Sequence, residues 1–214
     1  MRHLHPAYLL PMPASTLRTA GAAARRIETA CSSGLPAQEL LETVGAEFTG
    51  ALGAEGLFVA ATDPDTMLAM GVGVVRELPD ELCQAFWEYE FEVPDYNKFA
   101  DLARSEKPVA DLHASTGGRP ERSARHREFT GIIGLEAELR AAFPAGDRSW
   151  GLLQINRDHA FTEEEVDFVA DLAPMVGRAV RTALLTQPAT HGTVRAPGMA
   201  LFDAGHRLLS ITPE

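Results

Sequence analysis

The chain has 214 residues, 45% hydrophobic and 23% charged, enough for one sizeable core and a fragment of a second unit, and too apolar for a wholly disordered chain. Its formal net charge of -11 argues against nucleic-acid binding, which needs a basic patch to release counterions from phosphates; Arg25-Arg26 and the arginines between Arg119 and Arg127 are diluted by Glu and small residues. The two cysteines, Cys31 and Cys83, lie far apart without metal-ligand spacing, and read as half-buried thiols of a reducing compartment.

Met1 to Pro13 holds one Arg, three prolines and a short apolar run at Tyr8-Leu9-Leu10. It reads as an irregular arm (residues 1–14) and a poor signal peptide. No stretch reaches the ~18 apolar residues of a membrane span, so a cytoplasmic location is expected. Ser15 caps a helix to about Cys31, with Leu17, Ala20, Ala24, Ile27 and Cys31 on one face. Gly34 ends it and Pro36 opens a second helix. Leu40, Leu41, Val44, Phe48 and Leu52 share one side of that helix, and Gly53 stops it.

The rhythm then changes. Residues 56–62 read as a strand, Asp63-Pro64-Asp65 as a turn and 67–75 as a second strand, together a hairpin. Residues 79–91 read as a helix that Pro94 breaks. A short helix over 97–104 follows, then a strand over 108–111, a loop over 115–122 and a helical turn over 123–129. Strands are expected over 135–143 and 149–157, the latter with Leu153 and Ile155 on one face and Trp150, Leu152 and Gln154 on the other. Thr162 and Glu165 form a capping box. It opens a long helix with Val166, Val169, Leu172, Val176, Val180 and Leu184 inward and Pro174 as a mild kink. Residues 187–196 read as a linker and 197–214 as a further hairpin, which alone is marginal in water. Antiparallel strands flanked by helices make an α+β layered domain over residues 15–186.

The run Trp150-Gly151-Leu152-Leu153-Gln154-Ile155-Asn156-Arg157, followed by Phe161-Thr162-Glu163-Glu164-Glu165, resembles the last strand and closing helix of a GAF domain. The resemblance covers about residues 15 to 186. It implies an antiparallel sheet flanked by helices, with the N-terminal and long C-terminal helices packed together. Asn97 to Arg104 and Arg122 to Glu128 are similar to GAF sensor regions of actinobacterial LuxR-type transcriptional regulators. In that family a further sensor segment and a helix-turn-helix follow. Residues 197–214 look like the start of such a PAS-like segment, cut short. The resemblance thus implies a signal-sensing, small-molecule-binding part of a regulator that meets DNA only through a missing C-terminal domain. It implies a homodimer through the terminal helices and no membrane.

GxSxG, GxxxxGK and GxGxxG are absent. Cys31 and Cys83 fall outside the cysteine pattern of the GAF-fold enzymes that reduce free methionine sulfoxide. No cysteine suits bilin attachment, and His113 and His126 read as solvated or hydrogen-bonded rather than as haem ligands. The expectation is therefore a binding protein, not an enzyme, with no cofactor and no metal. Asn156, Arg157, Phe161 and Glu165 fit a cyclic-nucleotide GAF pattern loosely, with Val166 where Glu is expected. Arg157 and Glu165 read instead as a structural salt bridge on the surface, worth ~0–1 kcal/mol.

A ligand pocket is expected on the sheet face beneath the helices, mostly apolar with a few polar groups. Its candidates are Phe86, Trp87, Phe91, Tyr96, His113, Phe129 and Trp150. Trp87 and Trp150 stand out because each indole N–H wants a partner. The rival reading is a ligand-free interaction module in which the pocket is filled and helix pairing is the output.

Overall fold

The computed structural model describes residues 14–76, 83–186, 200–202 and 208–211. Residues 1–13 of the arm, the linker over 187–196 and the expected helix start at Pro79 lie outside them, and Ala14 already begins the first helix. The chain divides into two compact units, Met1–Leu184 and Leu185–Glu214.

In the first unit, helices α1 (Ala14–Ser32) and α2 (Ala37–Leu52) precede the hairpin of β1 (Gly56–Thr62) and β2 (Ala69–Arg76). Helices α3 (Cys83–Phe91) and α4 (Phe99–Arg104), strand β3 (Val109–Asp111) and helix α5 (Leu112–Thr116) follow. A 3-10 turn over Pro120–Arg122 and a π-helical turn over His126–Thr130 lead to β4 (Ala137–Ala145), β5 (Arg148–Arg157) and α6 (Glu163–Thr186). The five strands form one sheet in the order β2-β1-β5-β4-β3, with every neighbouring pair antiparallel. In the second unit, β6 (Ala200–Phe202) and β7 (Leu208–Ile211) pair antiparallel.

Strand alternation splits the sheet into two differently filled faces. Leu57, Val59 and Ala61 of β1, Leu139, Ala141 and Phe143 of β4, and Leu153 and Ile155 of β5 belong to the larger core. Ile27 of α1, Leu41, Val44 and Phe48 of α2, and Val169, Val176 and Val180 of α6 share that core. Helix α6 comes very close to β4. A Cβ built on Gly177 would stand 2.3 Å from Pro144 O and 2.6 Å from Phe143 O, so only glycine allows this approach. The opposite face carries Ala142 and Leu152, packed with Phe86, Phe99 and Leu102 of α3 and α4. Helices cover both faces, so the central strands have no solvent side.

Local differences from the sequence reading have local causes. Strand β2 starts at Ala69, not Met67, because Met67 sits in the turn at φ 62°. That turn is held by Asp63 Oδ1, which accepts from the Asp65 and Thr66 amides. Residues 112–116, read partly as loop, are helical: Asp111 caps them by accepting from the Ala114 N–H at 2.8 Å. The capping box of α6 forms as expected. Thr162 N–H donates to Glu165 Oε2 at 2.9 Å, and Glu165 N–H donates to Thr162 Oγ1 at 3.3 Å.

Candidate functional site

The smaller sheet face holds two kinds of residue. Towards β1 and β2 it is aromatic. Phe86 lies 5.1 Å from Phe58 and 5.0 Å from Trp87, ring centre to ring centre, and Phe91 stacks on Trp87 at 5.8 Å. Phe86 is buried, Trp87 half-buried and Phe91 exposed at 46%.

Towards β4 and β5 the same face is ionic. Glu138, Arg140, Gln154 and Asn156 point away from the larger core and are buried. Arg140 donates through Nε to Gln154 at 2.8 Å and through Nη1 to Glu90 of α3 at 2.7 Å. It also donates to the Asn97 carbonyl at 3.3 Å, and its guanidinium lies 4.2 Å from the Phe99 ring centre. Glu90 in turn accepts from the Phe99 N–H at 2.7 Å, fixing the start of α4. Arg125, just before the π-helical turn, grips Glu138 through Nε at 2.9 Å and Nη2 at 2.5 Å. It reaches Asp95 at 3.3 Å and the Tyr96 carbonyl at 3.2 Å. Gln154 passes the network on to Asn156 at 2.9 Å.

Buried charges are tolerated only when paired and hydrogen-bonded, and the electrostatics follow that rule. Burial would raise the Glu138 carboxyl, but the charges of Arg125 and Arg140 outweigh it and hold Glu138 below its ordinary value. Burial and the neighbouring Arg125 charge push Arg140 down. Burial pushes Asp111 up despite the Ala114 N–H it accepts. Several buried polar atoms here have no partner among the described residues, including Arg140 Nη2, Asn97 Nδ2, His113 Nδ1 and Asp111 Oδ1. Asn97 stands at φ 53°, a left-handed conformation that Asn tolerates better than most residues.

The candidates from sequence are distributed unevenly. Phe86, Trp87 and Phe91 cluster together. Tyr96 is half-buried beneath Arg122, whose guanidinium carbon is 5.8 Å from the ring centre. His113 lies half-buried on α5, and Phe129 is buried on the π-helical turn. Trp150 does not join the group. It lies within the register shift, between the Ala142–Leu152 and Pro144–Ser149 pairs, and packs against the larger core, with Arg181 of α6 at 5.7 Å. This corrects its placement on the same face as Leu152 and Gln154.

The Arg157–Glu165 pair is a second correction. It is a buried bridge, with side chains 3% and 9% exposed, not a surface one. All five guanidinium N–H groups are used. They reach the two Glu165 oxygens and the carbonyls of Leu52, His159 and Ala160, while the guanidinium lies 3.9 Å from the Phe161 ring centre.

Sequence reasoning missed Glu90, Asp95, Arg125, Glu138, Arg140 and Gln154, and weighed Asn156 only within a loose cyclic-nucleotide pattern. A signal existed for some of them. In β4, Glu138 and Arg140 alternate with Ala137, Leu139 and Ala141; charges on a strand with helices on both sides must be paired inside. Among the described residues, no group of three or more His, Cys, Asp or Glu gathers to hold a metal ion, and no helix is long and apolar enough to cross a membrane.

No protein-family model matches the sequence, and no curated protein is significantly similar to it. Solved structures are similar in fold. The GAF domain of a phosphoenolpyruvate-protein phosphotransferase from Coxiella burnetii gives a TM-score of 0.56 at 16% identity, over 78% of this chain and 96% of that one. The corresponding domain from Acinetobacter gives 0.51 at 14% identity, over 83% and 99%. The phycoerythrobilin-bound GAF domain of a cyanobacterial phytochrome gives 0.51 at 17% identity, over 79% and 98%. Identity this low carries the fold alone, and with the sheet order and flanking helices it supports a GAF fold.

Proposed function

We propose that this GAF-fold chain is a small-molecule-sensing domain of a bacterial transcriptional regulator of the LuxR type, acting by binding rather than catalysis. The observation that carries the sensing role is the pair of buried donors without a partner among the described residues, Arg140 Nη2 and Asn97 Nδ2. They belong to residues in direct contact on the face that also holds the Phe86–Trp87–Phe91 cluster. Buried donors call for an acceptor. An apolar wall with a few polar groups is the usual make-up of a small-molecule site. A solved domain of similar fold is described as phycoerythrobilin-bound, which fits a ligand role for this architecture. The regulator context rests on the resemblance of Asn97 to Arg104 and Arg122 to Glu128. DNA would be met through a separate domain, since this chain carries a net charge of -11.

A second reading has its own observation. Arg125, Glu138, Asp95, Arg140 and Glu90 pair with one another across the same face, as in a filled pocket whose chain works as a ligand-free dimerisation module through α1 and α6.

Native mass spectrometry of the purified chain, before and after mild denaturation, tests both. A retained small molecule that is lost on denaturation supports the sensor. A dimer without one supports the interaction module. A monomer that neither retains a molecule nor gains one from a metabolite extract counts against both.

A further inference from the structure

Among the described residues, strand β2 forms one edge of the sheet, with β1 its only neighbour there. Apart from Arg76 at its end, β2 carries no charge and no Pro, and Leu68 just before it, Met70 and Val75 are each about half exposed. An apolar edge of this kind is a template for pairing with another chain. Natural edges are usually blunted by Lys, Pro or a covering element, and β2 has no such residue before its terminal Arg76.

Cover comes from α2. Gln38, in its first turn, donates Nε2 to the Gly73 carbonyl at 3.0 Å and accepts at Oε1 from the Gly73 N–H at 3.0 Å. In an antiparallel ladder the N–H and C=O of one residue point the same way. Both Gly73 groups are taken by Gln38, so both face away from β1. The side-chain amide therefore makes the two bonds that a residue of an added strand would make. Glu42, one turn further along α2, accepts from the same Nε2 at 2.9 Å and holds the amide in place. Gly73 cannot carry a guard of its own. A Cβ there would stand 2.4 Å from Val59 O and 2.8 Å from Ala60 Cα, so protection has to come from outside the strand.

We propose that Gln38 is a gatekeeper: its amide sits on the open edge of β2 as a one-residue mock strand and keeps a second copy of this chain from pairing there. The test compares the full chain with Gln38→Ala by sedimentation velocity over a concentration series, with far-UV circular dichroism confirming the fold. Gln38→Ala is expected to self-associate beyond the parent's own state at a concentration roughly tenfold lower. Met70→Lys, added to Gln38→Ala, places a charge on the edge and is expected to return the mass to that of the parent. If Gln38→Ala does not fold, Gln38→Met carries the same test, since it keeps side-chain length and loses both bonds. A folded variant with the parent's mass at every concentration overturns the proposal. So does an association that Met70→Lys leaves untouched.

Discussion

Arg157, the last residue of β5, donates Nη1 and Nη2 to the two carboxylate oxygens of Glu165 at 3.0 and 2.6 Å, tying the sheet to the first turn of α6. Glu165 also accepts from the Thr162 N–H, so one carboxylate caps the helix and anchors it. Removing one partner of a buried pair leaves an uncompensated charge, which costs about 3–5 kcal/mol. Glu165→Ala is expected to lose that much in urea denaturation. Thr162→Ala, which deletes only the weaker half of the box, should lose about 1 kcal/mol. Equal losses in the two variants would mean that the cap, not the ion pair, carries the energy.

Gly177→Ala decides between two opposite effects. In a helix interior, Ala is normally about 1 kcal/mol better than Gly. Here the added Cβ meets two carbonyl oxygens of β4, at 2.3 and 2.6 Å, and backbone cannot swing aside as a flexible side chain can. Overpacking of this kind costs about 1–3 kcal/mol. The variant should therefore melt below the parent. A higher melting temperature would mean that α6 can step back from β4 freely.

Cys31 is expected to be a poor nucleophile. Burial pushes its thiol up to about 11, against a smaller opposing effect of Arg178, and the thiolate is the reactive form. In a Cys83→Ser background, which isolates Cys31, disulfide-exchange reagent at pH 8 should label the folded chain at least tenfold more slowly than the chain in denaturant. Equal rates would show an open, unshifted thiol.

Element positions were largely legible because the apolar periodicities are clean. Leu40, Leu41, Val44, Phe48 and Leu52 all lie buried on α2, and the Thr162–Glu165 box marks the start of α6 by its own chemistry. The site was legible only in part. Phe86, Trp87 and Phe91 fall within one helix turn or so of each other, so local spacing brings them together. Arg125 and Glu138 are thirteen residues apart in sequence, and Arg140 and Glu90 fifty; topology joins them, and no local pattern announces it. Trp150 was misplaced because alternation assumes a regular ladder, and the register shifts between Ala142 and Pro144. The Arg157–Glu165 pair was visible as a pair, but its burial depends on Leu52, His159 and Ala160 closing around it.

The Arg125–Glu138 pair should leave a mark on the pH dependence of stability. Glu138 is held below its ordinary value of 4.5 in the folded chain. Its stabilising contribution is therefore fully present above the unfolded value and is lost as pH falls through the lower, folded one. In that acid range the unfolded chain takes up the proton first, so the parent should lose stability steadily as pH drops below about 5. Glu138→Gln keeps the size of the side chain and removes the titration. At pH 7 it leaves Arg125 with Asp95 as its one remaining carboxylate partner and should cost about 3 kcal/mol. Below pH 4.5 its loss with further acidification should be shallower than the parent's, so that the two stability curves converge. Urea denaturation from pH 7 to pH 3 reads both effects. Curves that stay parallel down to pH 3 would mean that Glu138 does not change its proton affinity on folding, and that acid sensitivity arises at other carboxylates.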